Sequence, residues 1–337
     1  MSLTRRRLIV AAGAAPLAWA LVGRGVPAAA QDASKPEKVR LDYAYYNPSS
    51  LVMRRFGWLE EALDADGIGV EWVHSAGSNK ANEFLRSDAI DFGSTAGAAA
   101  FLARANGSPI EVVYLYSKPE WSALVVGKDS PIADVAELKG KKVAATKGTD
   151  PYFFLLRSLD AAGLTGSDVE VVNLQHADGR TALERGDVDA WSGLDPMMAD
   201  SEIKAGSKLI YRNIDFNTWG TLNAREAFLA EYPALTETVL ATYERARAWI
   251  QENPEETAAI LAEESQIEPE VAARVLTERT VLDISPVPGA DQTAALEAVI
   301  PIFEAEAQVK PGTDLPAVLA SLFAPQYIEA VLAEETA

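Results

Sequence analysis

The chain reads as a two-lobed α/β protein with a hinge, and three observations carry that reading. The stretch Leu85-Arg86-Ser87-Asp88-Ala89-Ile90-Asp91-Phe92-Gly93-Ser94 returns 98 residues later as Leu183-Glu184-Arg185-Gly186-Asp187-Val188-Asp189-Ala190-Trp191-Ser192. Each copy follows a β-type segment, over 70–74 or 169–173. Strand-like and helix-like segments alternate from Lys38 to Tyr211, as in a parallel or mixed sheet with helices on both faces. After Thr221 the composition turns to Ala, Glu and Leu, a helical tail with no lobe of its own that should pack back on the first lobe. The chain then crosses between lobes twice, near 117–120 and 218–223. Two crossings make a hinge that can close on a ligand.

Taken in order, Val39 to Ala44 alternates apolar residues and breaks at Asn47-Pro48, which reads as a strand and its end. Leu51, Phe56, Leu59 and Leu63 have helical spacing, so one helix is expected over 51–63, stopping near Asp66-Gly67. A strand over 70–74, a helix over 79–87 and a short strand over 89–93 follow. Ser94 to Ala105 reads as a helix closed by Asn106-Gly107, and Ile110 to Tyr116 as a buried strand. The second lobe has strand candidates at 121–126, 142–146, 169–174, 188–191 and 209–211, helices over 151–162 and 178–186, and a closing loop over 213–219. Residues 225–337 are mostly helical, with breaks at Pro233, Pro254, Pro286-Val287-Pro288-Gly289 and Pro311-Gly312.

At 337 residues the chain is long enough for two cores, and 48% apolar residues suit a globular protein. A net charge of −19 argues against nucleic acid and anionic membrane surfaces as partners. The absence of cysteine excludes disulfides, thiolate metal sites and Cys nucleophiles. Residues 1–30 read as a signal peptide. Thr4-Arg5-Arg6-Arg7 precedes an apolar run from Leu8 to Val22 and the small residues Val26-Pro27-Ala28-Ala29-Ala30. The paired arginines followed by Leu8-Ile9 look like a twin-arginine export signal. The mature protein is therefore expected outside the cytoplasm.

The chemistry-bearing candidates lie where strands hand over to helices. There, free backbone N–H groups at helix N-termini suit an anionic head group. Gly93-Ser94-Thr95-Ala96-Gly97 is such a place in the first lobe, and Lys147-Gly148-Thr149-Asp150-Pro151 in the second. Each is equally readable as an ordinary N-cap, with Asp150-Pro151 close to an ideal cap-then-N1 pair. Tyr45, Tyr46, Trp121, Tyr152, Trp191 and Trp219 gather at the same loops and could wall a partly apolar pocket. The two histidines, His74 and His176, read as surface or rim residues rather than general bases. No Walker loop, dinucleotide fingerprint or zinc spacing is present, so no cofactor is expected.

Taken together, Ala89 to Gly97, Asp129-Ser130-Pro131-Ile132 with Leu138 to Ala144, Lys147-Gly148-Thr149, and Asp187 to Trp191 with Asp195-Pro196 resemble the alkanesulfonate-, taurine- and nitrate-type solute-binding proteins of bacterial ABC importers. The resemblance implies a two-lobed type II periplasmic-binding-protein fold, with a hinge and a helical C-terminal region packed on lobe one. Lobe one would hold 38–118 and 222–337, and lobe two 119–221. The implied activity is periplasmic capture of a small organic anion, an aliphatic sulfonate or taurine-like aminosulfonate. A monomer would deliver it to a permease at the inner membrane, with no catalysis. Ligand contacts carried over are Tyr46, Asn47, Ser49, Ser94 and Thr95 from lobe one, and Gly148, Thr149, Asp150, Trp191 and Asp195 from lobe two, with the aromatics Trp121 and Trp219 beside them. Asp150 stands where sulfonate binders often have a neutral residue, and a carboxylate facing a bare anion costs affinity. Either it caps its helix or the ligand carries an amine. A pyrimidine, aromatic or cationic solute, or an enzyme on the same fold, is the alternative.

Overall fold

The computed structural model describes residues 35–335, so the signal-peptide reading falls outside the described residues. The strands run as β1 (Lys38–Tyr43), β2 (Gly69–His74), β3 (Phe92–Ala96), β4 (Ile110–Pro119), β5 (Ala123–Val126), β6 (Lys142–Ala145), β7 (Glu170–Asn173), β8 (Ala190–Ser192), β9 (Lys208–Arg212), β10 (Gly220–Arg225) and β11 (Thr280–Val281). They form two sheets, ordered β11-β4-β10-β3-β1-β2 and β7-β6-β8-β5-β9. The chain passes to the second sheet between β4 and β5 and returns between β9 and β10.

The sequence repeat is a structural repeat. β2-β1-β3 and β7-β6-β8 are equivalent parallel triplets, and each is bordered by an antiparallel strand, β10 or β5. Within each triplet neighbouring strands run parallel, so helices must connect them.

Helices α1 (Pro48–Phe56), α2 (Trp58–Leu63), α3 (Ser78–Arg86), α4 (Gly97–Ala105), α5 (Asp150–Ala161), α6 (His176–Arg185) and α7 (Met197–Ala205) lie between the strands. The C-terminal region supplies α8 (Glu226–Glu231), α9 (Pro233–Glu252), α10 (Pro254–Ser265), α11 (Pro269–Glu278), α12 (Ala290–Glu297), α13 (Ile300–Ala305), α14 (Leu315–Ala320) and α15 (Gln326–Glu335). α9, α10 and α15 build one core with α1 and the first sheet. α12 and α14 pack on α4, and Phe303 of α13 contacts both Phe101 of α4 and Phe153 of α5. The helical tail packs on the first sheet as expected and also touches the second lobe.

Three expectations are corrected. The helix over 51–63 is two helices, because Gly57 takes φ 65°, a left-handed conformation that ends α1. Ser94 and Thr95 belong to a strand rather than opening a helix. β10 pairs with 92–96 along its length, and α4 begins only at Gly97. β10 itself was hidden inside the transition from loop to helix. It enters at Gly220, where a Cβ would fall 2.3 Å from the Tyr116 ring.

Candidate functional site

Where the two lobes meet, a cleft is lined by Tyr46 and Ser78 from the first and by Trp121, Thr149, Asp150 and His176 from the second. It is shut down to about 10 Å³, roughly the room of one water. Tyr46 spans it edge-on to Trp121, with ring centroids 5.8 Å apart.

Three helices begin at this cleft: Ser78, Asp150 and His176 are the first residues of α3, α5 and α6. None of the three has a side-chain N-cap. Their first-turn N–H groups and dipoles therefore turn a partial positive charge on the space between the lobes, although no Lys or Arg lines it. A roomier cavity of about 380 Å³ lies between α5 and α13. Its one arginine, Arg157, is committed to the Asp215 carbonyl and the Phe216 ring, so it offers an anion little.

Asp150 does not cap its helix, and although it lines the cleft its carboxylate is engaged within the protein. The cap position of α5 is Thr149, whose hydroxyl donates instead to the Thr146 carbonyl (2.6 Å). The Asp150 carboxylate accepts from Trp121 Nε1 (2.9 Å), from Thr218 N (2.8 Å) and from Thr218 Oγ1 (2.6 Å). Thr218 Oγ1 in turn accepts from Ala98 N at the start of α4 (2.8 Å). Trp121 lies just past the first crossing and Thr218 on the second, so one buried carboxylate ties both hinge strands to α5. Asn217 adds a second tie, accepting from Ser122 N (3.0 Å). Burial raises the Asp150 pKa above its ordinary value, against the pull of these donors.

The first-lobe candidates are mostly spent on one another. Ser94 donates its N–H and its hydroxyl to Asp42 Oδ1, both at 2.8 Å, while its hydroxyl accepts from Asn47 Nδ2 and its carbonyl from Tyr46. Thr95 is bonded within the sheet to Thr221 and Asn223. Asn47 caps α1 and reaches Tyr243. Ser49 is fully buried, with its Oγ unpartnered.

In the second lobe Gly148 (φ 78°) turns the chain into α5 and approaches Asn79 of the first lobe. Trp191, expected to wall the cleft, is instead fully buried in the second sheet's own core among Val125, Leu183 and Met198, pressed on Gly179 of α6. Asp195 is held in an ion pair with Arg279 Nη1 (3.2 Å), both residues being buried, beside a small pocket that shares Tyr46 and Trp121 with the cleft. Trp219 lies outside the cleft beside Lys118 and the 284–292 segment.

Sequence reasoning missed Asp42, Ser78, His176, Thr218 and Arg279. Only the alternation in β1, which points Asp42 inward, offered a signal. Asp42 carries a testable consequence. Burial, offset in part by Ser75 and by the Ser94 hydrogen bonds, pushes its pKa up to about 7. The folded chain then holds a proton that the unfolded chain releases, so this residue's contribution to stability should rise as pH falls from 8 to 5. Asp42→Asn should remove that rise, a difference of about 2–3 kcal/mol across the window, read from denaturant midpoints.

The comparisons with known proteins follow this geometry. The NMT1/THI5-like family model matches residues 55–257. The chain belongs to the NMT1/THI5-like family. A protein of Escherichia coli (strain K12) named as an aliphatic sulfonates-binding protein is 31% identical over 256 residues, covering 75% of this chain and 80% of its own. The crystal structure of the periplasmic aliphatic sulphonate binding protein of Escherichia coli superposes with a TM-score of 0.73 at 28% identity, over 86% of this chain and 93% of that one. The alkanesulfonate-binding protein of Xanthomonas axonopodis pv. citri, bound to MOPS, has a TM-score of 0.77 at 23% identity, over 85% and 98%, and shares the fold. The family's two-lobed architecture accounts for the paired sheets and both crossings. Among the described residues no helix is long and apolar enough to cross a membrane.

Proposed function

We propose that the protein captures a small organic anion, an aliphatic sulfonate, between its lobes outside the cytoplasm and delivers it to an ABC permease. It would act as a monomer and without catalysis. The observation that carries this reading is the meeting of three helix N-termini at one interlobe cleft. That arrangement holds an anion with backbone N–H groups and needs no cation. The names of its relatives point the same way. Because the cleft is shut to about 10 Å³, capture requires the hinge to open. The bodies that move would be 38–118 with 222–337 against 119–221.

A thermal-shift panel on residues 31–337 tests the ligand class, with ethanesulfonate, longer and aromatic sulfonates, sulfate, nitrate and hydroxymethylpyrimidine. A ligand at a hundred times its Kd adds about 2.7 kcal/mol, enough to raise the midpoint by a few degrees. A shift confined to sulfonates is expected. A shift with the pyrimidine alone would replace the assignment.

A further inference from the structure

His176, which reads from the sequence as a surface or rim residue, is 1% exposed and lines the cleft. Its two nitrogens have different surroundings. The Thr146 hydroxyl donates its only hydrogen to the Leu174 carbonyl at 2.7 Å, so toward His176 Nδ1, 3.1 Å away, it acts as an acceptor. The ring is thereby held with its proton on Nδ1, leaving Nε2 a bare lone pair. Burial alone drives the His176 pKa down to about 3, which keeps the ring neutral at physiological pH.

Nε2 is buried and meets no donor. It points across the cleft at the entry to α3. A Cβ on Gly77 would fall 2.9 Å from it and 3.0 Å from Asn79 Oδ1, a second buried acceptor without a partner. Two bare acceptors, one from each lobe, therefore face each other beside three helix N-termini. An unmatched buried acceptor is costly, and a site that leaves one facing its ligand rewards a ligand that brings the missing hydrogen.

We infer that His176 is a specificity-determining residue, whose Nε2 accepts a hydrogen bond from an N–H or O–H group carried by the ligand beside its anionic head. The inference rests on the sulfonate reading above and narrows it to hydroxy- or aminoalkanesulfonates. Asp150 already accepts three hydrogen bonds at the hinge, which leaves His176 Nε2 the unengaged acceptor for that group. The only charged group sharing the cleft lining is the Asp150 carboxylate, which also favours a ligand donor over a second acceptor.

The test compares ethanesulfonate with 2-hydroxyethanesulfonate and 2-aminoethanesulfonate by calorimetry on the wild type, His176→Phe and Thr146→Val. Phenylalanine keeps an aromatic ring at the position and removes the lone pair. Valine touches no ligand but releases Nδ1, and it carries the same test should the Phe variant fail to fold. The wild type should bind at least one donor-bearing ligand tenfold or more tightly than ethanesulfonate, and both variants should lose that preference. Nitrogen-15 NMR of the ring should show the proton on Nδ1, in a spectrum simplified by there being two histidines in the chain.

Equal affinity for all three ligands in the wild type, as would follow if the Asn79 amide turned to donate to Nε2, overturns the inference. So does a preference that survives in the variants, or a ring protonated on Nε2. If none of the sulfonates binds, the sulfonate reading falls and the ligand class inferred here falls with it. Binding without preference sinks the role of His176 alone.

Discussion

Asp150→Ala is expected to lower the stability of the closed protein by about 2–4 kcal/mol, because it leaves Trp121 Nε1 and Thr218 N buried without acceptors. The raised Asp150 pKa says that the ion itself is held at a cost, so the loss comes from the orphaned donors rather than from a missing charge. Asp150→Asn keeps one carbonyl oxygen for these donors and should cost less than half as much. The two are separated by denaturant titration, and their order is the informative result. Equal effects would mean that the negative charge, not the acceptor geometry, braces the hinge. Because Asp150 ties both crossings to α5, the alanine variant should also show faster amide exchange at 117–123 and 213–220.

Arg279→Met should weaken ligand binding at least tenfold without touching the ligand. Arg279 closes α11 and reaches across to the second lobe, pairing with Asp195 at 3.2 Å and with Glu202 of α7. Arg279 and Asp195 are at most 5% exposed. The pair is thus a buried contact between the lobes, one that opening of the hinge would break. Burial pushes Asp195 up to about 6 even with the guanidinium pulling it down, so without Arg279 the closed form would bury an unpaired carboxyl. Binding that requires closure is weakened by the fraction of molecules no longer competent to close. Calorimetry measures the affinity, and small-angle scattering of the ligand-free variant should show a more open particle. Asp195→Asn should weaken binding in the same direction. An Arg279 variant with wild-type affinity would mean the pair forms in the open state as well.

Much of the architecture was legible because it is written locally. The 98-residue repeat marked α3-β3 and α6-β8 as equivalent units, and hydrophobic alternation found β1, β2, β4, β6 and β7 within a residue or two at most starts. Where local signals were ambiguous the reading slipped. Ser94 to Ala96 read as the opening of a helix, and only the antiparallel partner β10, more than a hundred residues away, made them strand.

The site was legible as a place and not as a set of roles. Ser94, Thr95, Asn47 and Asp150 have side chains able to hold a ligand, yet each is occupied by a partner inside the protein. His176 looked like a rim residue because a histidine after a strand carries no mark of burial.

The sequence by itself determined the fold class, the two-lobed plan, the exclusion of thiol chemistry and the strand-to-helix turns around which the cleft is built, since all of these follow from composition and periodicity along the chain. Only the tertiary structure decided which polar groups are consumed and which are left facing the ligand. A hydrogen bond is settled by two partners, and these lie far apart in sequence: Asp150 meets Thr218, Asn47 meets Tyr243, and Asp195 meets Arg279. Until the chain folds, every such residue has the same chemistry to offer. Afterwards the engaged ones serve as hinge and latch, and the unpaired lone pair of His176 remains for the ligand.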